Sequence, residues 1–138
     1  MGFKWGRTSK RRMEGVNPLL IEFAERLIEA SRYDLTIPWM GGVRTAEDQK
    51  EIYDRGASKC DGYNKKSYHQ SGNALDIVIY DKTVEGMYDD EKLNYIGGVG
   101  KRIWGEMYRE GKLEDFIPHW GGDWRSFVDK PHWELKKK

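Results

Sequence analysis

The chain has 138 residues, with 24 Lys and Arg against 23 Asp and Glu, a net charge of +1 at neutral pH and one cysteine. This length fits one domain with its own core, and the near-zero net charge supplies no bulk field for binding nucleic acid. A single cysteine, Cys60, excludes an internal disulfide framework and a thiolate zinc cluster. We therefore expect one domain over residues 1–138, with charged and frayed ends at about 1–15 and 136–138.

Segments that would direct the chain to a membrane are not predicted. No apolar run approaches the length of a membrane span, and the basic start "MGFKWGRTSKRRMEGVNP" lacks the apolar core of a signal peptide. We expect a protein made in the cytoplasm without insertion into a membrane. Any work beyond the membrane then needs a separate exit route.

The first half of the chain predicts a helix, a strand and a second helix. Asn17 and Pro18 supply an N-cap and a first-turn proline, and apolar residues then recur at helical spacing up to Ile28. The segment "DLTIPWM" predicts a strand, and the glycines of "GGVRT" mark the turn after it. Thr45 and Asp48 resemble a capping box that opens a short polar helix, which Gly56 can end.

The second half predicts a strand, a long helix and two more strands. Residues 73–80 read as a strand, and residues 90–110 carry a helical apolar stripe that Gly111 ends. Three glycines lower helix propensity within that helix, which predicts a close packing contact or a break there: Gly97, Gly98 and Gly100. "EDFIPHW" and "PHWEL" predict two C-terminal strands. Because helices and strands do not alternate regularly, we predict an α+β fold with a small antiparallel sheet packed against helices.

One carboxylate in this pattern needs a partner. Asp76 lies inside a predicted strand between Leu75 and Ile77, and burying an unpaired carboxylate is costly. His69 precedes that strand, and His132 lies on the last strand. Two histidines and one carboxylate are a three-ligand set that leaves a fourth position open on Zn²⁺. On spacing alone, a simple His–Asp hydrogen-bonded pair remains an alternative.

A family resemblance favours the metal. "SYHQSGNALD" matches the pattern Ser-x-His-x-x-Gly-x-Ala-x-Asp, and "DKPHWEL" resembles the acid-x-x-His segment that accompanies it. These motifs resemble those of the zinc D-alanyl-D-alanine and L-alanyl-D-glutamate peptidases, which share a fold with the hedgehog signalling domain. With "FKWGRTS", "GGVRT" and "WGGDW" added, the chain looks most like the phage endolysins that act as L-alanyl-D-glutamate peptidases.

The resemblance implies a role for each matching position. It makes His69, Asp76 and His132 the zinc ligands, and Asp129 the general base and acid. Arg44 would face the metal, where it would hold the substrate or stabilise the developing oxyanion. The alternatives for Asp129 and Arg44 are an ordinary loop carboxylate and a surface arginine.

Four further residues are weaker candidates. Ser67 could donate a hydrogen bond to substrate or to a metal ligand, and Glu134 could orient a ligand imidazole or be a solvated edge residue. His119 could line the cleft or be a structural histidine. Trp120 is expected in the core and the cleft wall, with a possible substrate contact.

The resemblance implies a peptidase that degrades peptidoglycan. The leading expectation is a monomeric endolysin that cuts the L-alanyl-D-glutamate bond of stem peptides after its release from the host cytoplasm through a separate membrane pore. A D-alanyl-D-alanine carboxypeptidase or dipeptidase and a non-catalytic zinc-holding domain are the alternatives. Retention of Asp129 and Arg44 argues against the non-catalytic alternative.

Overall fold

The computed structural model describes residues 2–138, in which five α-helices and five short strands are joined by loops and two 3₁₀ turns. The helices are α1 (Arg7–Arg12), α2 (Pro18–Ala30), α3 (Ala46–Asp54), α4 (Val84–Met87) and α5 (Asp90–Arg109). The strands are β1 (Leu35–Thr36), β2 (Ala74–Asp76), β3 (Val78–Ile79), β4 (Phe116–Trp120) and β5 (His132–Lys137). The 3₁₀ turns are Tyr68–Ser71 and Gly121–Asp123.

Two antiparallel sheets organise the strands. β5 is the centre of a three-stranded sheet in the order β2-β5-β4, and β1 pairs with β3 in a separate two-stranded sheet. Alternation along β5 sends Trp133 and Leu135 into the core, while His132 and Glu134 lie on the opposite face. The predicted α+β class with a small antiparallel sheet is confirmed.

The core lies between the three-stranded sheet and the long helices α2 and α5. Phe23 of α2 stacks on Trp104 of α5 with ring centroids 4.1 Å apart, and its ring lies 4.8 Å from that of Trp133. A Cβ on Gly97 would collide with Trp120, and a Cβ on Gly100 would collide with Trp133. The glycines therefore allow close packing of the sheet on an unbroken α5, as one of the two sequence readings expected.

Two local predictions need correction. The strand predicted over residues 73–80 is divided at Ile77 into β2 and β3, which belong to different sheets. The N–H of Ile77 donates to the carbonyl of Pro131 in register with the β2–β5 ladder, but Pro131 has no N–H to return a bond, so that ladder ends there. The strand predicted from "DLTIPWM" is only Leu35–Thr36, since Pro38 offers no N–H and Met40 has a positive φ of 63°.

The start of the chain contributes a short helix and contacts with the core. Residues 7–12 form α1, Trp5 is buried, and its indole N–H donates to the carbonyl of Ala24 at 3.0 Å. Ser9 is buried as well and accepts a hydrogen bond from the N–H of Ile37. The N-terminal segment is thus rich in charged residues and still contributes buried contacts through Trp5 and Ser9, which its composition does not reveal.

Candidate metal centre and active site

Three side chains from separate elements converge on one point. His69 comes from the first 3₁₀ turn, Asp76 from the end of β2 and His132 from the start of β5, where Asp76 and His132 are directly paired in the ladder. One potential ligand atom from each lies within 4.8 Å of the other two. The three residues predicted as ligands are therefore brought together.

The tautomer of His69 follows from its hydrogen bond to a backbone carbonyl. Nδ1 lies 2.9 Å from the carbonyl oxygen of Gly42, which can only accept, so Nδ1 carries the proton. Nε2 then presents its lone pair to Asp76 Oδ1 at 3.3 Å and to His132 Nδ1 at 3.2 Å. A Cβ on Gly42 would collide with the carbonyl of Arg12, so only glycine lets α1 lie behind this carbonyl.

The tautomer of His132 is set in the same way by Glu134. Nε2 of His132 lies 2.7 Å from Glu134 Oε1, and a carboxylate only accepts, so Nε2 donates and Nδ1 has the lone pair when the ring is neutral. Nδ1 of His132 lies 3.3 Å from Asp76 Oδ1. With both rings neutral, two imidazole lone pairs and one carboxylate oxygen face one another, and a cation is needed between them: a proton on Nδ1 of His132 or a metal ion.

The pKa values of the three side chains depend on burial and on their contacts with one another. Burial lowers the pKa of His69. Burial also opposes ionisation of His132, but hydrogen bonds to Asp76 and Glu134 outweigh it and raise the pKa of His132 to about 9. For Asp76, burial is outweighed by the two histidines, which lower its pKa. A divalent cation can replace the proton here, and two histidines with one carboxylate fit a catalytic zinc site with an open position.

Arg44 lies against the second oxygen of Asp76. Its Nη2 is 3.2 Å from Asp76 Oδ2, its Nε donates to the carbonyl of Met40, and its Nη1 donates to Gln49 Oε1. Three of the five guanidinium N–H donors are therefore engaged, and the side chain is only 10% exposed. The arginine thus lies beside the candidate metal centre, and its immediate contact there is with Asp76.

Gln49 is a site residue that the sequence analysis missed. It is fully buried on α3, holds Arg44 through Oε1, and donates through Nε2 to Ser58 Oγ and the carbonyl of Cys60. A glutamine in a short polar helix looks like a surface residue, and no spacing rule separates it from its exposed neighbours. Because both its amide oxygen and its amide nitrogen are hydrogen-bonded, Gln49 connects Arg44 to the loop after α3.

Asp129 reaches the cleft through a tight turn. The N–H of His132 donates to the carbonyl of Asp129 at 3.1 Å, closing a turn over Lys130 and Pro131. The N–H of Asp129 donates to the carbonyl of Gly121, where a Cβ would collide with the Asp129 backbone. Burial and the charge of Asp76 raise the pKa of the Asp129 carboxyl to about 6, which suits a proton-transfer group near neutral pH.

The cleft around these residues has a volume of about 640 Å³. It is lined by the three candidate ligands, by Arg44, Asp129 and Glu134, and by Ser67. The hydroxyl of Ser67 accepts from the N–H of His69 and so caps the 3₁₀ turn that carries this ligand.

His119 and Trp120 lie apart from this lining. They border a second depression of about 360 Å³. Trp120 is buried, and its indole N–H donates to the carbonyl of Lys130, so it supports the turn that carries Asp129. His119 Nδ1 lies 3.6 Å from Glu134 Oε2, which places the Glu134 carboxylate between His119 and His132. The structure thus shows contacts that stabilise the site, and the predicted substrate contacts of these two residues remain predictions.

Comparison with known proteins decides the family. The sequence profile described as "Phage L-alanyl-D-glutamate peptidase" matches residues 1–137. The chain belongs to this family. It is 31% identical over 137 residues to the L-alanyl-D-glutamate peptidase of Escherichia phage T5, covering 99% of this chain and 92% of that protein.

A bacterial relative and a solved structure agree with this assignment. The family member described here is 30% identical over 127 residues to the peptidoglycan L-alanyl-D-glutamate endopeptidase CwlK of Bacillus subtilis, covering 87% of this chain and 73% of that protein. The crystal structure of the Serratia marcescens L-Ala D-Glu endopeptidase ChiX superposes with a TM-score of 0.74 over 96% of this chain and 90% of that one, at 23% identity. This likeness confirms the fold. Within residues 2–138, no helix is long and apolar enough to cross a membrane.

Proposed function

We propose that this protein is a zinc-dependent peptidase that cleaves the L-alanyl-D-glutamate bond of peptidoglycan stem peptides. The observation that carries the proposal is the set of three ligand atoms with lone pairs that face one another, on His69, Asp76 and His132, at the base of an open cleft. The names of the phage and Bacillus relatives support the choice of bond. They favour it over D-alanyl-D-alanine, whose peptidases would use the same ligand set.

The catalytic work of the chain is proton transfer by Asp129. The chemistry that a bound Zn²⁺ supplies is Lewis-acid polarisation of a carbonyl and acidification of a water molecule. Asp129, as a carboxylate, takes the proton of the attacking water and delivers a proton to the leaving amine of D-glutamate. Its raised pKa, about 6, supports both halves of this role because the group can ionise and be reprotonated near neutral pH.

Arg44 and Glu134 orient the ligands in this proposal. Arg44 holds Asp76 Oδ2, which leaves Oδ1 for the metal, and its two unengaged N–H donors are available to a substrate carbonyl as it gains negative charge. Glu134 accepts from Nε2 of His132 and thereby makes Nδ1 the better ligand. Ser67 sets the direction of the 3₁₀ turn that carries His69.

We also propose a biological setting. The similarity to a phage T5 peptidase supports a phage origin. We propose an endolysin that is made in the host cytoplasm, acts as a monomer and reaches the wall through a separate membrane pore. Its partner is peptidoglycan. The sequence supports no role in nucleic-acid binding, since the net charge is +1.

Metal analysis of ligand variants tests the zinc assignment. Purified protein should carry about one Zn²⁺ per chain, and His69→Ala or Asp76→Ala should lose it because two protein ligands hold zinc poorly. Ser71→Ala is a matched control, because Ser71 belongs to the same 3₁₀ turn and its hydroxyl contacts only the carbonyl of Tyr68. Full zinc occupancy in either ligand variant would remove that residue from the set.

A further inference from the structure

One wall of the cleft is basic. Four cationic side chains line it, all from the segment that follows α3, and we call them the basic wall: Arg55, Lys59, Lys65 and Lys66. The acidic residues that line the same cleft are Asp76, Asp129 and Glu134, all at the metal centre. The cleft therefore has an acidic metal centre facing a cationic side.

Three of the four charges are available to a ligand. Arg55 donates to Glu51 at 2.6 Å, whereas Lys59, Lys65 and Lys66 form no ion pair with any residue in the described range 2–138. The carboxylate in the same segment, Asp61, is turned to its own backbone. Its Oδ1 accepts from the N–H groups of residues 63, 64 and 65. Lys59 Nζ lies 5.5 Å from the centroid of the Phe127 ring, a contact that does not neutralise its charge. An anion in the cleft would therefore meet three lysines that pair with no carboxylate among the described residues.

The segment that carries these lysines is fixed by side-chain hydrogen bonds although it has no regular secondary structure. The buried amide of Gln49 holds Ser58 and the carbonyl of Cys60. Nε2 of Gln70, in the 3₁₀ turn of the ligand His69, donates to the carbonyl of Gly62. The same two elements thus support both the metal centre and the basic wall. This shared support fixes the backbone that carries the lysines relative to the metal centre, while their side chains are exposed to a ligand in the cleft.

We propose that the basic wall binds the free α-carboxylate of the D-glutamate in the substrate, so that the enzyme selects stem peptides with D-glutamate over those with D-isoglutamine. This inference rests on the proposed function. In stem peptides D-glutamate continues through its γ-carboxyl, so its α-carboxyl stays free or is amidated. The α-carboxyl and the nitrogen released by cleavage are bonded to the same carbon, so the carboxylate enters the cleft together with the scissile bond.

The test compares two synthetic muropeptides that differ only in this group, a carboxylate in one and an amide in the other. The wild-type enzyme should cleave the D-glutamate substrate with a kcat/KM about tenfold higher, the size expected for a few partly exposed charge interactions. The triple variant Lys59→Gln, Lys65→Gln, Lys66→Gln should bring the ratio close to one. It should do so by slowing cleavage of the carboxylate substrate and leaving that of the amide substrate unchanged.

A matched control carries the same loss of three charges at the exposed end of β5: Lys136→Gln, Lys137→Gln and Lys138→Gln. This variant should keep the wild-type ratio, and both variants should keep one zinc per chain. Equal cleavage of the two substrates by the wild type, or an unchanged ratio in the basic-wall variant, would overturn the inference and leave the proposed function intact. Failure of the wild type to cut either substrate between L-Ala and D-Glu would overturn the proposed function and the inference together.

Discussion

Two glycines in α5 should respond oppositely to the same substitution. Gly98 is exposed, and a Cβ there meets no atom within 4 Å, so Gly98→Ala should stabilise the protein by about 1 kcal/mol through helix propensity. At Gly100 the new Cβ would collide with Trp133 and lie 3.0 Å from Phe23 Cζ, both of which are fully buried. Overpacking there costs about 1–3 kcal/mol, and the gain of about 1 kcal/mol in helix propensity offsets part of this cost.

The propensity gain cancels in the comparison, so Gly100→Ala should be less stable than Gly98→Ala by about 1–3 kcal/mol. Thermal unfolding of the two variants, each with zinc and after chelator treatment, measures this difference. It corresponds to a gap in Tm between the variants of about 4–12 °C, at roughly 4 °C per kcal/mol. Because Trp133 follows the ligand His132, close packing at Gly100 also positions the metal centre. Equal Tm values for the two variants would refute the packing of β5 on α5 described above.

Three further outcomes follow from the site. Asp129→Asn should keep its zinc while kcat falls by at least about 10²-fold. The acidic limb of the wild-type pH profile should disappear with it because the carboxylate form is the active base, and its midpoint should lie at or below about pH 6 because a metal cation beside Asp76 lowers the Asp129 pKa. Loss of zinc, or a kcat close to that of wild type, would contradict the assignment. Glu134→Ala should weaken zinc binding about 10- to 100-fold in a chelator competition. Glu134→Gln should be less affected because its amide oxygen still accepts a hydrogen bond from His132. Wild-type zinc affinity in Glu134→Ala would count against the tautomer assigned to His132. Gln49→Ala should lower kcat/KM while zinc is retained, since it frees Arg44 and the loop beyond α3; unchanged kinetics would show that Arg44 is positioned without it.

Local signals in the sequence predicted the three longest helices, α2, α3 and α5, whereas α1 and α4 were not predicted. The Asn17 cap, the Thr45 capping box with Asp48 and the apolar stripe of α5 each act within one or two turns, and the structure contains all three. The strands were predicted less well because pairing is decided by distant partners. Ile77 has the apolar character of a strand residue, but its partner in the β2–β5 register is Pro131, which has no N–H, and the residues that follow Ile77 pair with β1 instead.

In the candidate site, too, local motifs were predicted from the sequence, whereas contacts between distant residues were not. The motif around His69 and Asp76 and the later His132 predicted the ligand set, and β2–β5 pairing brings the set together. Gln49 was missed because its burial depends on Arg44 and on a loop without regular structure. His119 could not be assigned from sequence, since its neighbour Glu134 is opposite it only in the β4–β5 ladder.

Mass spectrometry of a digested disaccharide pentapeptide tests the central claim most directly. The zinc-loaded enzyme should release a stem peptide that begins with D-glutamate and leave the disaccharide attached to L-alanine, and His132→Ala should yield neither product. Release of free D-alanine, with the bond between L-alanine and D-glutamate intact, would contradict the account.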